Sequence, residues 1–497
     1  MSTESQHQLE QWKGSYTFIL AATGAAAGLG NIWKFPYLVG MHGGGAFILT
    51  YLFFVLLIGF PLFMAEIMLG RSGRMSPSQS IRNIAKANQF SQIWAGVGIL
   101  ITLAAFLILS YYSVIAGQVV AYFFRTVSGV FTGQSEDGVA YLYNSFRSNP
   151  EVLLSWHTIF LVVTCMIVAR GFRHGIEKTV RICMPLLIAM LIFLAIYQYN
   201  TSTFLPAASF MLDVDFKKLF YLTDSNGFYM LDAQGDYQFT FRGVLVALGH
   251  AFFTLAIGVG SVIVYSIYLN AEISAARVTT LIIVLDTLIA LLAGFIIFPM
   301  LFAYGLSPGH GTALVFKTLP MAFGEMEQGS LLGGLFFLML FFAALTSAIA
   351  LLEPGVRWVM ERFKLSRVAA VTWVGTCCWT FGIISVFSVS GTRLRDIIQS
   401  VDEIFKLETV DMSQRFYDLT AFQVIDGLVT VFILPTVGLF IAILCGWIIP
   451  ENVSRDGLRL NSTTVYRAWL LMIRFITPAL VGVVFFISFA SWISDNL

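Results

Sequence analysis

Residues 24–31 read Gly-Ala-Ala-Ala-Gly-Leu-Gly-Asn, inside the first hydrophobic run of the chain. A second stretch, Thr254-Leu-Ala-Ile-Gly-Val-Gly260, lies inside the sixth. Glycine is poor helix material, and several within one turn or two invite the backbone to open. In lipid an opened helix exposes carbonyls and N–H groups, which are costly unless protein, water or a ligand satisfies them. The chemistry on offer is ion and carboxylate binding. A hard monovalent cation takes several oxygens, which freed carbonyls and the side chains of Asn31, Thr254, Thr346 and Ser347 can supply. The N-terminus of a broken helix presents N–H groups to an anion. Asp286, a lone acid in the seventh run, can offset the charge of a cation. An intramembrane carboxylate is expensive and functional by default.

Each feature has a plainer reading. Glycines in a membrane helix often serve close packing, although two interrupted segments, five apart, are what an inverted-repeat transporter would show. Tyr111-Tyr112 in the third run can be aromatic filling. Thr346 and Ser347 can bond back to the previous helical turn. Glu353, followed by Pro354, reads as an acid at a packing interface or in a water network. Lys34 and Asp426 can be helix-end charges that snorkel. No Cys/His cluster, Walker-type loop or nucleophile elbow occurs, so ATP hydrolysis and acyl chemistry have no support and the chain is not read as an enzyme.

The elements that must position these groups are membrane helices. The chain is 58% hydrophobic and 11% charged, beyond what a soluble domain needs. Its net charge of +1 gives no electrostatic case for nucleic acid. The polar first residues suggest no cleaved signal peptide. Cys165, Cys183, Cys377, Cys378 and Cys445 fall in apolar stretches and read as packing residues. At about 20 residues per crossing, eleven runs are long enough to span. They lie near 15–37, 45–69, 91–124, 155–170, 180–199, 240–269, 276–304, 331–360, 368–388, 418–448 and 466–492. Outer loops near 200–238 and 305–328 have room for short capping helices.

Lys and Arg collect in the loops after runs two, four, eight and ten, for example Arg71, Arg74, Arg82 and Lys86. All four loops fall on one side, which is therefore cytoplasmic. The N-terminus is then inside and the C-terminus outside. The loop near 389–416, with Arg393, Arg395, Lys406 and Arg415, runs against this bias.

Gly28-Leu-Gly-Asn-Ile-Trp-Lys-Phe-Pro-Tyr37 followed by Gly43-Gly-Gly-Ala-Phe47 closely resembles the signature of the neurotransmitter:sodium symporters. The resemblance extends from about Trp12 to the end of run eleven. It implies an all-α polytopic membrane protein with two inverted repeats of five helices plus an eleventh helix. The expected divisions are a tail at 1–13, repeats at 14–200 and 201–448, and a loop with the last helix at 449–497. It also implies an integral inner-membrane location, with substrate, sodium and lipid as partners; oligomeric state stays open.

The resemblance further implies two sodium sites. Ala26, Asn31, Thr254 and Asp286 would hold one ion with the substrate carboxylate, and Gly24, Ala27, Ala343, Thr346 and Ser347 the other. Ala26, Gly30, Tyr112, Thr254 and Ser347 would contact the substrate, with Tyr112 bonding its carboxylate. Ile108, Phe253, Ala256, Val259 and Leu351 would line the side-chain pocket, and Phe253 with Tyr112 would form a lid. Lys34 and Asp426 would make an outer gate, Trp12 and Glu361 an inner one. The chain departs from its resemblance at Lys34, where many relatives have Arg, and at Leu9, where an Arg is usual. The missing twelfth helix and the short second outer loop, without paired cysteines, favour a prokaryotic source.

The expected function is sodium-coupled uptake of a neutral hydrophobic L-amino acid by alternating access. Gly28 stands where monoamine carriers of the family place an Asp for the amine. Asp286 would replace the chloride that animal relatives bind, and once sodium leaves it would return with a proton. The alternatives are a sensor that uses the same site without turnover, separable by counterflow of labelled substrate, and an ion channel.

Overall fold

The computed structural model describes residues 11–222, 229–232, 234–306, 312–393, 419–460 and 462–496. Nine helices among them are long and apolar enough to cross a membrane: Gly45–Gly73, Gln92–Val127, Pro150–Ala169, Phe172–Tyr199, Ala275–Ala303, Gly329–Phe363, Arg367–Val389, Ala421–Ile448 and Thr463–Ala490. Two shorter apolar helices, Ser15–Ala26 and Arg242–Thr254, are the first halves of broken spans. Together these are the eleven expected spans, numbered one to eleven below in chain order. The loops at 200–238 and 305–328 do carry short helices, among them Phe204–Leu212 and Leu319–Glu325. Leu9 and the loop residues Arg395, Lys406 and Arg415 lie outside the described residues.

Several ends differ from the sequence reading, and capping explains one of them. Span four starts at Pro150, not near 155: the Asn149 side chain accepts from the Val152 N–H at 3.1 Å, with proline at the first helical position. Span five starts at Phe172 through a π-helical turn and takes in Arg173, Lys178 and Arg181, which sequence reading placed in or beside the loop. Cys377 is exposed and Cys165 half-buried, so packing accounts fully only for Cys183, Cys378 and Cys445.

Span eight runs through the middle of the molecule and packs on spans three, five and nine and on the first half of span one. Close approach needs small residues. A Cβ on Gly70 of span two would lie 2.0 Å from the Ile263 carbonyl oxygen, so span two seats directly on the second half of span six.

Span one opens where its glycines begin. The helix ends at Ala26, and Ala27 takes φ −74° and ψ 66°. Gly28 N–H then bonds the Ala26 carbonyl at 2.8 Å, an inverse γ-turn. The chain regains helicity through a π-helical turn, Gly30–Lys34, and runs on as Phe35–Met41. Span six stops at Thr254 and resumes at Ser261. Between them Gly258 and Gly260 adopt φ of 84° and 76°, which side-chain-bearing residues resist. Ala256 holds φ of 50° despite its Cβ, a strained conformation of the kind that clusters at functional sites.

Candidate functional site

A cavity of about 70 Å³ lies between the two breaks. Its walls include Ala26 and Gly30 of span one, Ile108 and Tyr112 of span three, Phe253, Ala256 and Val259 of span six, and Ser347 and Leu351 of span eight. All were expected there. Thr254 does not line the cavity; it sits beside it, bonded to Asn31 and Asp286. Sequence reasoning missed Ala25, Leu29, Ile257, Ser261, Ala350 and Leu434, which also line the cavity. A larger groove of about 800 Å³, lined by apolar residues such as Leu103, Trp358 and Trp373, opens on the outer surface among spans three, eight and nine. It contains none of the polar groups above.

Asn31, Thr254 and Asp286 form a closed network. The Asn31 amide donates to Asp286 Oδ1 at 2.7 Å and to Thr254 Oγ1 at 3.2 Å. The Thr254 hydroxyl donates to Asp286 Oδ2 at 2.8 Å. Asp286 is fully buried, with Asn31 and Thr254 nearly so. The Asn31 amide donates through its nitrogen, which leaves its Oδ1 for a cation. The side-chain oxygens of these three residues carry one negative charge between them, which suits a hard monovalent cation; the Ala26 carbonyl accepts instead from the Gly28 N–H. Tyr51 of span two faces Asp286, Thr254 and Thr287, and its ring packs on His250 at 5.4 Å. No motif pointed to these neighbours.

The second group of expected ligands also converges. Ser347 Oγ donates across to the Gly24 carbonyl at 2.9 Å. A Cβ on Gly24 would stand 3.1 Å from Thr346 Oγ1. Thr346 bonds back to Phe342 and Ala343 carbonyls at 3.0 and 3.1 Å, as the plainer reading expected. Ala27 is the centre of the opened turn. The oxygens of Gly24, Ala343, Thr346 and Ser347 again form a hard donor set, this one without formal charge.

Tyr112 reaches the opening of span one: its hydroxyl accepts from the Leu29 N–H at 3.5 Å, and a Cβ on Gly28 would lie 3.1 Å from it. Phe253 covers Gly30 from the other side, its ring 3.4 Å from where a Cβ would be. Both residues of the expected lid thus line the cavity.

The gates differ from expectation. Lys34 and Asp426 are within electrostatic reach, but no salt bridge joins them. The Lys34 ammonium lies 4.9 Å above the Phe253 ring, a cation–π contact with the lid itself. Asp426 faces Tyr111 instead. At the N-terminal face, Trp12 and Glu361 work apart rather than as a pair. The Trp12 indole donates to the Tyr265 carbonyl at 2.9 Å, and its backbone N–H to Tyr268 at 3.1 Å, which docks the chain start onto span six. Glu361 accepts from the Ser76 N–H at 2.9 Å, ahead of the helix Pro77–Ala87, and pairs with Arg357 at 3.3 Å. An anion at a helix N-terminus is well placed, so Glu361 has its own partners. Glu353 sits at a helix interface, where it holds a two-point ion pair with Arg367 at 2.5 and 3.0 Å.

Glu66 of span two was not singled out from sequence. It is buried, and its Oε1 accepts from the Gly258 N–H at 2.7 Å, inside the break of span six. An opened turn in a membrane protein must satisfy such donors from elsewhere.

Comparison with known proteins identifies the family. The family model described as the sodium:neurotransmitter symporter family matches residues 9–136 and 137–415. The chain is 31% identical to the sodium-dependent transporter YhdH of Bacillus subtilis, over 97% of this chain and 98% of that one. A sodium-dependent transporter of Haemophilus influenzae is 28% identical, over 97% and 99%. The crystal structure of MhsT in complex with L-phenylalanine superposes with a TM-score of 0.79 at 34% identity, covering 96% of this chain and 99% of that chain. The fold is thus that of a secondary transporter and not of an enzyme: this chain belongs to the sodium:neurotransmitter symporter family and is an integral membrane, sodium-dependent transporter.

Proposed function

We propose that this transporter imports a neutral hydrophobic L-amino acid, driven by sodium at two sites and independent of chloride. The observation that carries the reading is the Asn31–Thr254–Asp286 network next to a cavity walled by Ile108, Ala256, Val259 and Leu351. The walls offer no charge to a side chain, and the small Ala256 and Val259 leave room for a bulky one. MhsT, whose crystal structure holds L-phenylalanine, supports the same substrate class. The fixed carboxylate of Asp286 does beside the cation what an added anion would do, so chloride has no charge left to balance. With substrate and sodium gone, a bare buried carboxylate is costly, and a proton returns in their place. The N-terminus faces the cytoplasm on this reading, because the basic short loops lie on its side.

The test is uptake of labelled amino acids by proteoliposomes in Na⁺ or K⁺, with chloride or gluconate, and with internal pH varied. Uptake of neutral apolar amino acids that needs Na⁺ and survives gluconate is expected, with counterflow of labelled substrate. Preference for lysine, glutamate or a monoamine would sink the substrate class, and loss of uptake in gluconate the charge replacement.

The second sodium site has its own prediction. Thr346→Ala and Ser347→Ala should each raise the Na⁺ concentration for half-maximal uptake by about fivefold, the worth of one modest polar contact. Substrate preference should stay as it was, since the apolar walls are untouched. If Na⁺ dependence is unchanged in both variants, these hydroxyls serve only helix geometry.

A further inference from the structure

Ser261 opens the second half of span six, Ser261–Ser266. It lines the cavity, is 1% exposed, and its hydroxyl has no hydrogen-bond partner. The other polar side chains of the wall are engaged. Ser347 donates to Gly24, Asn31 to Asp286 and Thr254, and Tyr112 accepts from Leu29. Buried polar groups in folded proteins are nearly always paired, and an exception calls for a missing partner. Here the unpaired hydroxyl belongs to a residue of the cavity wall.

We propose that Ser261 is a specificity-determining residue, whose hydroxyl bonds a polar group at the far end of the substrate side chain and so favours tyrosine over phenylalanine. The inference rests on the amino-acid reading above and narrows it. A short hydroxylated side chain would leave Ile108, Val259 and Leu351 uncovered. An aromatic ring covers them and carries a hydroxyl beyond. Ser261 then gains the partner it lacks, and phenylalanine would bury it unpaired. Sites built to bond a hydroxyl discriminate strongly against the analogue without one, whereas a purely apolar pocket hardly rejects an added hydroxyl.

The experiment is competition binding to the purified, full-length protein in Na⁺, with L-tyrosine, L-phenylalanine and para-fluoro-L-phenylalanine. In the native protein tyrosine should bind about tenfold or more tighter than the other two. In Ser261→Ala the preference should shrink to roughly twofold or less, through loss of tyrosine affinity and some gain of phenylalanine affinity. Retained phenylalanine binding also certifies the fold of the variant; should the variant not fold, the ligand series on native protein still decides. Equal binding of tyrosine and phenylalanine by native protein overturns the role of Ser261, as does a preference that survives the substitution. Failure of every neutral amino acid to bind in Na⁺ overturns the amino-acid reading itself, and this inference with it.

Discussion

Sodium-driven uptake is expected to fall about a hundredfold or more at limiting Na⁺ when Asp286 is replaced by asparagine. Asp286 is fully buried and bonded through both carboxylate oxygens to Asn31 and Thr254. A cation entering that site is taken out of water, and only a close, fixed negative charge makes the transfer favourable. Asparagine keeps the size and one acceptor but removes the charge, so the loss is that of a buried ion pair with one partner deleted. Measurement of uptake against Na⁺ concentration in proteoliposomes checks this. Asp286→Ser adds a second arm, since it opens space as well as removing charge. If charge balance is what Asp286 supplies, chloride should stimulate the remaining activity of this variant while leaving native uptake alone. If chloride does nothing, Asp286 acts mainly as a direct ligand of the cation.

The second large effect concerns Glu66. Its contact with the Gly258 N–H joins span two to the open turn of span six. Glu66→Leu keeps an apolar body but deprives that N–H of its acceptor in the interior. An abandoned buried donor costs about 1–3 kcal/mol, so substrate affinity should drop by roughly ten- to a hundredfold, because Ala256 and Val259 belong to the same turn. Glu66→Gln retains an acceptor oxygen in the same place and should bind substrate within about threefold of native. Equilibrium binding on detergent-purified protein distinguishes the two, with helicity by circular dichroism as the control for folding. Equal losses in both variants would show that something other than this bond holds the turn.

The breaks were legible in sequence because their cause is local. Glycine clusters at 24–31 and 254–260 weaken a helix wherever it sits, and both spans open there. Asp286 was legible because a carboxylate in an apolar run is costly without a task. The lid, the cavity wall and the two oxygen clusters could be assigned to particular residues only through the family signature. What remained hidden depends on contacts between distant parts of the chain. Glu66 meets Gly258 from 192 residues away. Arg367, one basic residue among several in its loop, turns out to hold Glu353. Ser261 looked like an ordinary small residue after glycine until its place in the cavity wall was known. The surroundings of the expected gate were hidden for a related reason: Lys34 and Asp426 have opposite charges, but the Phe253 ring lies under the ammonium and Tyr111 beside the carboxylate.

Ser347 is bonded to Gly24 across the span boundary, and Thr346 to its own helix, each through its hydroxyl proton. If these oxygens are the second sodium site proposed above, a cation enters among them only by exchange: the serine proton must swing away so that both oxygens turn lone pairs to the same positive charge. Binding therefore gains only the difference between two sets of contacts, and departure is cushioned by the return of the old ones. Such a site holds its ion loosely and lets go without leaving bare oxygens behind. For a carrier that works by releasing its ion, such an exchange of partners would make unloading quick.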